Sequence, residues 1–71
     1  NPTAENVTID LGQTFNDVTV ILTNTLGQEV SKQELNTTPK FTISINDEAG
    51  IYFITVTSGN SALVRTKVLK Q

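Results

Sequence analysis

Apolar and polar residues alternate along most of this chain, which is the pattern of β-strands with one face buried and the other in water. The first two alternating runs cover residues 7–11 and 17–24, and Ile21 interrupts the alternation of the second. Their predicted inward residues are Val7, Ile9, Leu11, Val18, Val20 and Leu22. Good helix formers never cluster at helical spacing, whereas β-branched residues, which pack well on a pleated surface, are abundant. The pattern therefore predicts an all-β fold.

Four further runs predict strands at residues 29–35, 41–45, 51–57 and 62–70. The run at 29–35 places Val30 and Leu35 among charged and polar residues. It is predicted to be an edge strand, because charged side chains at an edge discourage pairing with another molecule. The run at 51–57 is apolar on both faces at its start, which predicts the central strand of the fold.

Residues that favour turns separate these runs. Gly27 and Gly59 predict hairpin connections, because glycine readily takes the positive φ angles that tight turns need. Polar or glycine-containing segments at 12–16, 36–40 and 46–50 predict the other loops. Six or seven short strands with regular turn signals predict a small antiparallel two-sheet β-sandwich of the immunoglobulin-like kind.

The length of the chain limits it to one structural unit. It has 71 residues and no cysteine, so we predict a single domain over residues 1–71. Its core must come from apolar packing alone, because neither disulfides nor thiolate metal sites are available. The missing cysteines fit the cytosol and an export route equally well and leave the compartment open.

Charge and hydropathy exclude several classes of partner. Five basic and seven acidic residues give a net charge of −2, which is too mild and too mixed to steer the chain onto a nucleic acid. No apolar run approaches the roughly 20 residues of a membrane-spanning helix. Residues 1–5 lack the basic start and apolar centre of a signal peptide, so any export signal is expected on a longer precursor.

Candidate chemistry is sparse, and the sequence predicts a protein without catalytic activity or a cofactor. The chain has no histidine, and its Ser and Thr hydroxyls have no recognisable base beside them. Asp47 and Glu48 are adjacent and are predicted to face water in a turn. With Asn46 they offer a weak alternative as oxygen ligands for calcium, although three consecutive residues do not match a spaced calcium-binding loop.

The aromatic residues are predicted to pack in the core. Phe15, Phe41, Tyr52 and Phe53 are the only aromatic residues, and there is no tryptophan of the kind that often forms a sugar-binding platform. A carbohydrate site built on exposed rings stays open as the alternative.

The last strand carries a mixed apolar and basic strip. Its predicted inward residues are Ala62, Val64 and Val68, and its predicted outward residues are Leu63, Arg65, Lys67 and Leu69. Lys67 and Lys70 are expected to lie in water. Either the leucines of the strip cover the rim of the domain while its cations keep the edge soluble, or another protein binds the strip by docking or by strand addition.

Several motifs in this order resemble the type A C-terminal sorting domain of the bacterial type IX secretion system. They are Asn1-Pro2, Val7-Thr8-Ile9, Val18-Thr19-Val20, Leu26-Gly27-Gln28, Ala49-Gly50-Ile51-Tyr52-Phe53-Ile54, Ser58-Gly59 and Thr66-Lys67-Val68-Leu69-Lys70. The segment beginning at Ala49 is the most specific. Where the family usually has Leu and Pro before Ala-Gly, this chain has Asp47 and Glu48, which implies a looser turn there.

The resemblance implies a secretion signal that directs an attached N-terminal passenger protein across the outer membrane. The implied partners are an outer-membrane translocon and a sortase-like protease. The implied route leads through the periplasm to the cell surface or the medium. The predicted recognition residues are Gly50, Tyr52, Leu63, Arg65, Lys67, Leu69 and Lys70.

Two other classes of function remain open at this point. One is a fibronectin-like or carbohydrate-binding accessory module of an extracellular enzyme, which exposed aromatic rings would favour. The other is a plain structural or adhesive domain, which could be deleted without mislocalising its passenger.

Overall fold

Four antiparallel strands make up the computed structural model, which describes residues 5–71. The strands are β1 (Glu5–Thr23), β2 (Glu29–Ile45), β3 (Gly50–Ser58) and β4 (Ser61–Lys70). Hydrogen bonds join all four into one sheet with the order β2-β1-β3-β4. The prediction of an all-β fold is confirmed. The Asn1-Pro2 motif lies outside the described residues.

The predicted division into two sheets of six or seven strands is not confirmed, because neighbouring predicted strands are continuous. The first two predicted strands are parts of β1, and the next two are parts of β2. β2 continues through Pro39. This residue lies where the register between β1 and β2 shifts, between the pairs Asp10–Lys40 and Phe15–Thr38. A proline, which cannot donate to a ladder, is tolerated at such an irregularity.

β1 bends sharply near Gly12. Nineteen residues of extended strand would span roughly 60 Å, yet the longest dimension of the molecule is 35 Å. Gly12 has a φ of +82°, and its N–H donates to the Asp10 Oδ1 atom at 2.9 Å. The bend and the register shift beside it fold the paired segments at residues 5–10 and 40–45 over the rest of the sheet.

One apolar core lies inside the folded sheet. Its buried members are Val18, Val20, Leu22, Phe41, Ile43, Ile45, Tyr52, Ile54 and Val56. The inward residues predicted for 17–24 are therefore confirmed, and those predicted for 7–11 are half-buried against the same core. Because the core draws on β1, β2 and β3 together, its burial depends on the bend near Gly12.

The positions of the strands within the sheet agree with the sequence pattern. β2 is an edge strand, and its residues 31–34 are all exposed. β3 lies inside the sheet between β1 and β4, as its apolar start predicts. Both predictions are confirmed. Residues 5–71 contain no helix with the length and hydropathy of a membrane span.

Candidate recognition surface

The register between β3 and β4 divides the predicted recognition residues between two sides of the sheet. Gly50 pairs with Lys70 and Tyr52 pairs with Val68, while Phe53 pairs with Lys67. Tyr52 and Lys70 are buried, whereas Arg65, Lys67 and Leu69 are exposed. The structure thus brings together two separate groups rather than one continuous strip.

Lys70 belongs to the buried group, so the prediction that it lies in water is wrong. Its side chain is only 1% exposed, and its ammonium group donates a hydrogen bond to the backbone carbonyl of Asp47. Strand alternation places Lys70 on the same face as Val68. A buried ammonium is tolerated there because its charge has a hydrogen-bond acceptor.

Tyr52 holds the same turn from the neighbouring strand. Its hydroxyl donates to the backbone carbonyl of Glu48 at 2.5 Å, and the residue is 6% exposed. Tyr52 and Lys70 thus bind successive carbonyls of the turn at 46–49, and we call these two residues the turn anchor. The side chains of Asp47 and Glu48 are exposed, which confirms that they lie in a solvated turn.

The carboxylates of this turn do not form a metal-binding group. Within residues 5–71, no cluster of three or more His, Cys, Asp or Glu side chains lies close enough together to hold a metal ion. The backbone carbonyls of Asp47 and Glu48 already accept hydrogen bonds from the turn anchor.

The environment of Tyr52 predicts a fall in stability at high pH. Burial raises the pKa of the Tyr52 phenol, and the nearby negative charges of Asp47 and Glu48 raise the pKa further. The folded state therefore favours the neutral phenol. The contribution of the Tyr52 phenol to the free energy of unfolding is fully present below the unfolded pKa of about 10. It is lost as the pH rises through the higher folded pKa.

We expect denaturant unfolding to show this decline in the unaltered protein and a weaker decline in Tyr52→Phe. The comparison isolates the contribution of the phenol from that of the rest of the protein. Because Tyr52 is the single tyrosine, absorbance of the phenolate reports its titration directly. Identical alkaline profiles for the two proteins would contradict the assigned role of the phenol.

A bulge changes the facing of the residues at the start of β4. Val56 pairs with Val64, but Thr57 pairs with Ala62, so Leu63 is an extra residue in β4. Leu63 is half-buried and packs against the core, while Ala62 is exposed. The predicted facing of both residues is wrong, because an inserted residue reverses strand alternation on one side of it.

The exposed group lies on the side of the sheet away from the core. We define the outer face as the outward residues within 19–23 of β1, 51–57 of β3 and 65–69 of β4, which are Thr19, Ile21, Thr23, Ile51, Phe53, Thr55, Thr57, Arg65, Lys67 and Leu69. Ile51 lies opposite Leu69, and these side chains are 40% and 62% exposed. The Arg65 guanidinium lies 5.4 Å from the centre of the Phe53 ring.

The sequence pattern missed two members of this face, Ile51 and Phe53. Their signal was the apolar start of β3 on both faces, which predicted a strand buried on both sides. Phe53 is half-buried on the outer face, so its predicted place in the core is wrong. Phe41 and Tyr52 are in the core as predicted, and Phe15 packs against it.

Comparison with known proteins identifies a family across the whole chain. A family model described as "Secretion system C-terminal sorting domain" matches residues 1–71. No curated protein and no solved structure matches the chain. The match supports a secretion signal, and the alternative of a carbohydrate-binding accessory module receives no support from it.

Proposed function

Because the chain belongs to the secretion system C-terminal sorting domain family, we propose that it carries an attached passenger through the type IX secretion system. The family match over residues 1–71 is the observation on which this proposal rests. A type IX sorting signal implies export to the cell surface or the medium. We further propose that the passenger is N-terminal to the domain and pauses in the periplasm before it crosses the outer membrane.

We propose the outer-membrane translocon and a sortase-like protease as the partners. Among the predicted recognition residues, Arg65, Lys67 and Leu69 are accessible to such partners because they are exposed on the outer face. The turn anchor would contribute indirectly by fixing the shape of the domain. Recognition of a folded domain fits a chain with its own apolar core.

The finer architecture that we propose is a two-layer, immunoglobulin-like arrangement within the single sheet. The bend near Gly12 supports it, because Phe41, Ile43 and Ile45 are buried in the same core as Ile54. We also propose that the domain is not itself an enzyme. Its role as a signal requires a stable surface rather than a reacting group, and the chain contains no histidine.

The sorting proposal predicts that the domain is required for export of a reporter. The reporter would be a periplasmic protein fused ahead of Asn1 in cells that possess a type IX secretion system. We expect the fusion at the cell surface or in the medium, and the reporter without the domain in the periplasm. Cell fractionation with immunoblotting measures the distribution.

The matched control is the same fusion in cells that lack the type IX translocon, where the fusion should remain in the periplasm. Export of the fusion in those cells would show that another route carries it. Equal export of the reporter without the domain would overturn the sorting assignment.

A further inference from the structure

We propose that the outer face docks a protein segment in which apolar side chains are flanked by carboxylates. This inference rests on the proposed function, since the segment would belong to the export machinery. It extends that function by stating the chemistry of the partner and the residues that contact it. The outer face combines exposed apolar residues with two cations, one of which is Arg65, packed against the Phe53 ring.

The apolar part of the docking surface is centred on a cross-strand pair. Ile51 and Leu69 lie opposite each other and are 40% and 62% exposed. Phe53 lies two residues along β3 and is half-buried, and Ile21 of β1 is half-buried on the same side. Single exposed apolar residues are ordinary, but a contiguous group of this kind is typical of interaction surfaces.

The charge of the outer face differs from that of the whole molecule. Of its ten positions, two are cations, Arg65 and Lys67, and none is acidic, although the chain as a whole has a net charge of −2. Beyond β1, the edge strand β2 continues the same side of the sheet with Glu29, Lys32 and Glu34, so the positive charge that has no acidic neighbour lies at the β4 edge. Complementary charge selects a partner and orients its approach. Carboxylates beside the apolar residues of a partner would therefore meet Arg65 and Lys67.

Arg65 is held in position before any partner arrives. Its guanidinium lies against the Phe53 ring, with 5.4 Å between the guanidinium carbon and the ring centre. A side chain restrained in this way loses less conformational freedom on binding. Guanidinium groups also bind carboxylates through two parallel hydrogen bonds, which favours Asp or Glu as the contacting residue.

Phosphate ligands fit this surface less well than a protein does. Nucleic acids and anionic membranes attract proteins through many cations, whereas this face has two. Its exposed Ile51 and Leu69 side chains gain from contact with apolar groups, which a phosphate backbone does not offer. The combination favours a protein segment with both kinds of side chain.

The test is an amide-resolved NMR titration of the 71-residue chain with a short synthetic peptide of alternating leucine and glutamate. We expect shifts to concentrate at Ile51, Phe53, Lys67 and Leu69. A matched peptide of alternating leucine and lysine should not shift these residues. The double variant Arg65→Glu/Lys67→Glu should weaken binding of the glutamate peptide about tenfold or more, because it places like charges together.

Two further variants separate the effects on binding. One tests whether reversing a charge elsewhere matters, and the other tests the apolar contact. Lys40→Glu reverses an exposed cation on β2, outside the outer face, and should leave binding unchanged. Leu69→Ser keeps both cations and should still weaken binding if the apolar contact matters. Well-dispersed amide spectra verify that each variant is folded.

Several results would overturn the proposal. These are equal binding by the Arg65→Glu/Lys67→Glu variant, shifts that map away from the outer face, or equal binding of the lysine peptide. Shifts at this face that appear only with phosphatidylcholine and phosphatidylglycerol vesicles would assign it to lipid. Shifts that depend on protein concentration alone would assign it to a second copy of the chain.

The reporter assay distinguishes failure of this inference from failure of the sorting function. If the domain is needed for export but the Arg65→Glu/Lys67→Glu fusion is exported normally, the docking surface is wrong and sorting stands. If export does not need the domain at all, sorting is wrong whatever the peptide titration shows.

Discussion

Lys70→Glu should destabilise the domain by about 3–5 kcal/mol, which is the usual cost of leaving a buried charge without its partner. In the native structure the Lys70 ammonium is buried and donates to the Asp47 carbonyl. A glutamate would place a carboxylate near that carbonyl oxygen, where neither group has a proton to donate. Urea unfolding followed by circular dichroism measures the loss.

Lys67→Glu is the matched control, because Lys67 lies three residues away on the same strand and is exposed. Its stability should stay within about 0.5 kcal/mol of the original. Lys70→Met removes the charge but retains an apolar stem, and should cost about 1–3 kcal/mol through the unsatisfied carbonyl. A Lys70→Glu variant as stable as Lys67→Glu would show that the Lys70 side chain is in water.

The burial of Lys70 makes it unsuitable for studies of recognition by charge reversal. Reversing Lys67 and Lys70 together would destabilise the domain through Lys70, so a loss of export could not be assigned to binding. Arg65 and Lys67 are the better pair, since both are exposed on the outer face. Loss of export in that double variant would report on recognition, provided that the variant is folded.

Truncation after Gly59 should abolish the folded state. A chain of this size is stable by roughly 4–11 kcal/mol, at about 0.05–0.15 kcal/mol per residue. Removing β4 uncovers the edge of β3 and takes away Val64, Val68 and Leu63, which pack against the core. It also removes the Lys70 half of the turn anchor. We expect no cooperative unfolding transition and collapsed amide dispersion.

Deletion of Gln71 alone is the control for this truncation. Gln71 is exposed and follows the end of β4, so its removal should change stability by less than about 0.5 kcal/mol. A chain truncated after Gly59 that still unfolds cooperatively would show that β4 is dispensable for the core. Any loss of export on truncation would then reflect recognition rather than folding.

Strand alternation was sufficient to predict which residues of β1 form the core. Val18, Val20 and Leu22 are buried because a period of two places them on one face, and that period depends only on local backbone geometry. The charged residues of β2 similarly predicted an edge strand. The order of several short motifs, of which the one around Gly50 and Tyr52 is the most specific, indicated the family.

The composition of the candidate surface was decided by the tertiary structure. The bulge at Leu63 reverses the facing of its neighbours. The alternation of apolar and polar residues in the sequence does not reveal such an inserted residue. Pro39 and Gly12 lie within strands, although the sequence predicted loops there, because pairing continues on either side of the irregularity. Lys70 is buried because the fold brings the carbonyl of Asp47 to its ammonium group, and that acceptor is 23 residues away in the chain. Local alternation therefore determined which face each regular strand segment buries, while contacts between distant residues decided which charged side chains remain free to meet a partner.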